Sequence, residues 1–134
     1  MKGSDLKYIL ITPARNEEMF IGDTIKSVIS QTLVPKKWVI ISDGSTDRTD
    51  DIVKGYVKKY DWIKLLRMPE HRDRHFAAKV QCFNRGYEEV KHLDYDIIGN
   101  LDADITFESD YLEFLLNKFA EDPRLGVGLS LIHI

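Results

Sequence analysis

The chain predicts an α/β fold with a mainly parallel sheet flanked by helices, and three observations carry that expectation. Short, continuous apolar runs of strand length alternate four times with stretches whose apolar residues recur at helical spacing. The runs lack the polar alternation of a sheet wetted on one face, so both faces are expected to be covered. Acidic turns follow the second and fourth runs, and ligands of open α/β sheets bind outside the carboxyl ends of strands.

Tyr8-Ile9-Leu10-Ile11-Thr12-Pro13 is the first run, and Pro13 stops it. Ile21, Ile25, Val28 and Ile29 then mark an amphipathic helix closed before Pro35. Trp38-Val39-Ile40-Ile41 is the second strand, running into Ser42-Asp43-Gly44-Ser45-Thr46-Asp47. Ile52, Val53, Tyr56, Val57 and Tyr60 mark the second helix, with Asp47, Asp50 and Asp51 near its start and Lys58 and Lys59 near its end, matching the macrodipole. A short third strand spans Trp62 to Leu66. After a loop-like basic segment, Arg67 to Phe76, a third helix passes through Val80, Phe83, Tyr87 and Val90. Tyr95 to Leu101 is the fourth strand, and a fourth helix follows from about Ser109, a plausible cap, through Leu112, Leu115, Leu116 and Phe119. Right-handed crossovers bring all the strand-end loops to one edge.

At 134 residues, 43% hydrophobic and 31% charged, the chain fits one soluble domain with a single core. A formal charge of -3 excludes a field for wrapping nucleic acid, while a small nucleotide remains compatible. The lone Cys82 rules out an internal disulfide framework and fits a reducing compartment; its place in a helix makes it a small core residue. Lys2, Asp5 and Lys7 break up any signal-peptide pattern, and no apolar run approaches a membrane span, so the chain is cytoplasmic in character.

The strand-end loops carry the chemistry. An acid such as Asp43 is a poor cradle for phosphate and suits a donor instead, a ribose hydroxyl or the N–H of a base, which points to a nucleotide held by its nucleoside end. The competing role for Asp43 is a turn residue satisfying the Gly44-Ser45 backbone, with Ser45 or Thr46 capping the next helix. Asp102 and Asp104, on one turn, supply hard oxygens for Mg²⁺ or Mn²⁺, metals that keep few protein ligands and bridge substrate phosphates. Spacing alone is weak, since fourteen aspartates yield about one Asp-x-Asp by chance. Asp94-Tyr95-Asp96 has the same spacing at the strand's entrance, where no ligand is expected; placement at the exit is what singles out Asp102 and Asp104. Glu17 and Glu18 also suit a helix start, and Arg15 and Asn16 divide evenly between ligand and turn roles. His71-Arg72-Asp73-Arg74-His75 reads as a basic loop, beside a diphosphate or simply solvated, in preference to a zinc site.

Four stretches together resemble the nucleotide-binding half of a family 2 glycosyltransferase with the GT-A (Rossmann-like) fold. They are Pro13-Ala14-Arg15-Asn16-Glu17, Asp43-Gly44-Ser45-Thr46-Asp47, Asn84-Arg85-Gly86 and Leu101-Asp102-Ala103-Asp104, in the family's order and on the matching elements. The resemblance spans Tyr8 to about Val127 and implies residues 1–128 as the nucleotide-sugar-binding half, truncated after the fourth strand-helix unit. It implies that the Pro13-Ala14 backbone and Glu17 line the nucleoside pocket, that Arg15 is among the nucleotide-binding residues and that Asp43 accepts from the base. Asp102 would contact ribose or diphosphate, Asp104 would ligate the metal, and Lys79 would sit near the donor. Ser42 departs from the pattern, standing where the family commonly has another acid.

The reaction so implied is transfer of a sugar from a UDP- or GDP-sugar to an acceptor hydroxyl on a glycan or lipid-linked chain, in polysaccharide biosynthesis. It is expected to be inverting and to need Mg²⁺ or Mn²⁺, with the cation stabilising the departing diphosphate. The general base and the acceptor-binding half are expected beyond this chain, which is therefore expected to be inactive alone; the full-length protein is expected in the cytoplasm or at the inner face of the membrane. Leu129-Ser130-Leu131-Ile132-His133-Ile134 resembles the in-frame translation of a transposon mosaic end, so residues 129–134 are expected to be a non-native adaptor tail. A non-catalytic nucleotide-binding module is the main competing class. A sugar-phosphate nucleotidylyltransferase should show a glycine- and arginine-rich loop after the first strand, and a dinucleotide oxidoreductase Gly-x-Gly-x-x-Gly; neither pattern is there.

Overall fold

The computed structural model describes residues 2–69 and 76–121. The His71 to His75 stretch and the Leu129 to Ile134 tail lie outside them. Four strands, β1 (Tyr8–Ala14), β2 (Lys37–Asp43), β3 (Ile63–Met68) and β4 (Ile97–Asn100), form one sheet in the order β3-β2-β1-β4. Every pairing is parallel, with Ala14 opposite Ser42, Ser42 opposite Arg67 and Ile11 opposite Asn100. The helices are α1 (Ile21–Ile29), α2 (Thr49–Val57), α3 (Phe76–Val90) and α4 (Tyr111–Glu121), with a short 3-10 turn at Gly3–Asp5.

The central strands β1 and β2 form because both of their faces are dry, while the edge strand β3 is only partly covered. Leu10, Trp38, Ile40 and Ile63 point to one side and pack on Ile21, Ile25 and Val28 of α1, Val53 of α2 and Leu112, Leu116 and Phe119 of α4. Ile9, Ile11, Val39 and Ile41 point to the other side and meet Cys82 and Val90 of α3. Cys82 is thus a core residue, and burial, with the Asp43 carboxylate beside it, pushes its thiol up to about 12. One polar pair sits inside the larger core, where the Trp38 indole N–H donates to Thr12 Oγ1 at 2.8 Å. Among the described residues, no helix is long and apolar enough to cross a membrane.

Several boundaries differ from the sequence reading. Pro13 does not stop β1, which pairs through it to Ala14; β2 extends to Asp43, and α2 ends at Val57, short of Tyr60. β3 starts at Ile63 and carries Arg67 and Met68 within the strand. β4 is shortened to Ile97–Asn100, and ahead of it the Asp96 N–H donates to the Lys7 carbonyl. Ser109 is not the cap of α4. That helix begins at Tyr111, and the Leu112 N–H is taken by Oε1 of Gln31 at 3.0 Å, a side chain supplied from the end of α1.

Candidate functional site

The chain passes from β1 outward to β2 and β3, then returns to place β4 on the other flank of β1. This reversal opens a crevice between the carboxyl ends of β1 and β4, the place where such sheets bind ligands. A cleft of about 270 Å³ lies there. It is lined by Pro13, Ala14, Arg15 and Glu17 after β1, Asp43 at the end of β2, Lys79 on α3, and Asp102 and Asp104 after β4. All eight residues expected from the sequence therefore meet around one cavity. Ala78 and Ala103 complete the lining; small residues carry no chemical signature that a sequence reading could have used. A wider, shallower depression of about 940 Å³ lies between α1 and the segment after β4. Among the described residues the charged groups it gathers are Lys26 and Glu108, so the smaller cleft is the chemically specialised one.

Local structure explains how the loops hold their shape. Gly44 has φ of 65°, in the left-handed region that glycine adopts without strain, and this turns the chain sharply just after Asp43. Asp43 itself is 8% exposed and faces α3, as Val39 and Ile41 do. Asn16, at φ of 53°, accepts from the Thr46 N–H at 2.8 Å through Oδ1, while its own N–H donates to Ser45 Oγ at 3.1 Å. Thr49 Oγ1 accepts from the Glu17 N–H at 2.8 Å, and Asp47 accepts from the Glu18 N–H at 3.1 Å and the Thr49 N–H at 2.9 Å. Asn16 is thus a brace between two strand-end loops. The Thr49 N–H that opens α2 is taken by Asp47, and neither Ser45 nor Thr46 caps the helix. Burial pushes the Asp47 carboxyl up, but the Thr49 hydroxyl and the backbone N–H groups outweigh it and leave it below its ordinary range.

Ser42 faces the opposite side from Asp43 and donates to Asp50 of α2 at 2.5 Å; Asp50 also holds Arg67 of β3 at 2.8 Å. A carboxylate therefore does stand beside Ser42, delivered by the next helix.

The electrostatics of the cleft are lopsided. Among the described residues, four carboxylates, Glu17, Asp43, Asp102 and Asp104, face two cations, Arg15 and Lys79. Glu17 registers the imbalance: burial first, then the charges of Asp104 and Asp47, raise its carboxyl above the ordinary range, Lys79 draws it back in part, and Asp102 adds a smaller push. Among the described residues no three His, Cys, Asp or Glu side chains are grouped to hold a metal by themselves. The donor set fits a hard cation that takes one or two carboxylates and completes its shell from water and a ligand's phosphates.

A doubly wound parallel sheet with acidic loops at its switch point defines an α/β protein of the class whose ligands bind in that crevice. The family model described as Glycosyl transferase family 2 matches residues 9–134, and the chain belongs to that family. It is 31% identical over 111 residues to the poly-beta-1,6-N-acetyl-D-glucosamine synthase of Staphylococcus epidermidis, covering 83% of this chain and 25% of that protein. The chain thus spans about a quarter of the length of the curated relatives it matches. The structure of Staphylococcus aureus TarS in complex with UDP superposes with a TM-score of 0.68 at 21% identity, covering 87% of this chain and 32% of that one. The mannosyltransferase PcManGT from Pyrobaculum calidifontis, in complex with GDP-Man and Mn²⁺, gives a TM-score of 0.64 at 23% identity over 88% of this chain and 33% of that one. These likenesses establish the GT-A-like fold.

Proposed function

We propose that this chain holds the donor site of a glycosyltransferase that moves a sugar from a nucleotide-diphosphate sugar to an acceptor hydroxyl in polysaccharide synthesis. The observation that carries the reading is the convergence of Asp43, Glu17, Asp102 and Asp104 on one cleft at the switch point. Family membership and the likeness to a polysaccharide synthase support it, as do UDP and GDP-Man in the structures of proteins with this fold.

Asp43, sunk at the end of β2, accepts from an N–H of the base, and the Pro13-Ala14 backbone and Glu17 wall the nucleoside. Asp102 meets the ribose or diphosphate, and Arg15 and Lys79 face the phosphates. Among the described residues, two cations stand against four carboxylates and a diphosphate, a balance that favours added positive charge on binding. Asp104, with Asp102 nearby, would hold Mg²⁺ or Mn²⁺, which supplies charge stabilisation to the departing diphosphate. Inversion at the sugar carbon needs a general base at the acceptor hydroxyl. In this reading all four cleft carboxylates serve the donor side, so the base comes from outside the described residues, and the 134-residue chain binds donor without turning it over.

Two variants test the division of roles. Asp43→Ala should weaken UDP or GDP binding with and without metal, whereas Asp104→Ala should remove only the metal-dependent part. Equal losses from both variants, under both conditions, would refute it. Turnover of any nucleotide-sugar by this chain alone would place the base inside it.

A further inference from the structure

Helix α1 carries a hydroxyl where its apolar stripe calls for a hydrophobe. Ile21, Ile25 and Val28 are buried on the face of α1 that meets the core, and Thr24 among them is 0% exposed. Burying a hydroxyl without a partner costs about 1–3 kcal/mol, so its partner matters. Thr24 Oγ1 lies 2.9 Å from the carbonyl oxygen of Ala103 and 3.3 Å from that of Phe20, one turn back. One proton serves one acceptor at a time, and the shorter, fully buried contact is the one to Ala103.

Ala103 is the middle residue of the Asp102-Ala103-Asp104 turn, and it is itself part of the core. With the residue buried in the core and its carbonyl held by Thr24, the backbone between the two carboxylates is fixed. The far end of the same irregular segment is tied to the chain just past α1. Buried Gln31 donates to the Glu108 carbonyl at 2.7 Å while accepting from Leu112, and the Thr32 N–H donates to the Ser109 carbonyl at 2.8 Å. A segment with no helix or strand of its own is thereby clamped at both ends.

We infer that Thr24 is a positioning residue of the acidic turn. By holding the Ala103 carbonyl it fixes the directions in which Asp102 and Asp104 leave the backbone, and so sets how strongly a divalent cation and a nucleotide diphosphate reinforce each other's binding. The inference rests on the donor-site reading above. Thr24→Val keeps the shape and removes the hydroxyl; Thr24→Ser restores the hydroxyl without the methyl group.

The test is calorimetric titration of the full chain, wild type and both variants, with whichever of UDP and GDP the wild type binds more tightly, with and without Mn²⁺, and with the corresponding nucleoside alone. The enhancement of diphosphate affinity by Mn²⁺ should fall about tenfold in Thr24→Val, as for loss of an outer-shell partner of a metal site. Nucleoside affinity should stay at the wild-type value, and Thr24→Ser should recover the enhancement. A wild-type enhancement retained in Thr24→Val overturns the inference alone. A proportional loss of nucleoside binding also overturns it, since the residue would then be merely structural. A wild type indifferent to Mn²⁺ overturns the metal assignment and this inference with it. Should Thr24→Val fail to fold by circular dichroism, Thr24→Ala against Thr24→Ser gives the same outcomes with a smaller change of volume.

Discussion

Gly86 and Gly55 lie in different helices, and the same substitution should act on them in opposite directions. A Cβ built on Gly86 of α3 falls 2.8 Å from Ile11 Cγ2 and 2.8 Å from Ile41 Cδ1, side chains at the centre of the sheet that are themselves fully buried. A Cβ on Gly55 of α2 meets nothing within 4 Å. Alanine improves an exposed helix interior by about 0.8–1 kcal/mol over glycine, a gain common to both sites. Overpacking a dense core costs about 1–3 kcal/mol, a loss confined to Gly86. Gly55→Ala should therefore stabilise by about 1 kcal/mol, and Gly86→Ala should be neutral to about 2 kcal/mol destabilised. The helix gain cancels in the difference between the variants, leaving the contact itself at about 1–3 kcal/mol, or roughly 3–15 °C in Tm for a domain of this size. Thermal melts of the two single variants measure it. Equal Tm values, or a more stable Gly86→Ala, would refute the close approach of α3 to β1 and β2. Ile11 and Ile41 stand two residues before Pro13 and Asp43, so that approach also supports the floor of the cleft.

The remaining predictions concern charge, the core pair and the tail. Glu17 has its carboxyl raised in the fold, so its contribution to stability is present below the unfolded carboxylate pKa and is lost as pH rises through the folded value. Glu17→Gln should accordingly raise Tm at pH 8 without metal and make no difference in acid; a Tm advantage constant across pH would contradict the crowding of carboxylates. Thr12→Val strips the buried Trp38 indole N–H of its acceptor and should cost about 1–3 kcal/mol in urea unfolding, with no loss if the pair is dispensable. For residues 129–134, the genomic locus should show codons other than those for Leu129 to Ile134 continuing the frame; native codons there followed by a stop would sink the adaptor origin.

Much of the fold is legible in the sequence because its central strands are dry on both sides. Runs such as Tyr8 to Ile11 and Trp38 to Ile41 need no partner to be recognised, and the helical stripes Ile21/Ile25/Val28 and Leu112/Leu116/Phe119 declare their buried faces locally. The candidate site is legible for the same reason: once strand ends are located, the acids beside them fall on one edge. What holds the site together is not. Thr24 meets Ala103 across 79 residues, and Gln31 meets Leu112 across 81, contacts that no local spacing encodes. Ser109 looked like a cap by residue type alone, yet the acceptor came from elsewhere in space. Asn16 and Asp47 likewise divide between ligand and brace only once the β1 and β2 loops are seen side by side.

The central claim is that this cleft binds a nucleotide diphosphate through an acidic base contact at one end and a cation at the other. Titrating the wild-type chain and Asp104→Ala with UDP and GDP, with and without Mn²⁺, tests it most directly. One of the two nucleotides should bind more tightly with Mn²⁺ to the wild type, and Asp104→Ala should abolish that gain while leaving the metal-free affinity in place. Binding indifferent both to Mn²⁺ and to Asp104→Ala, or no binding of either nucleotide, would contradict it.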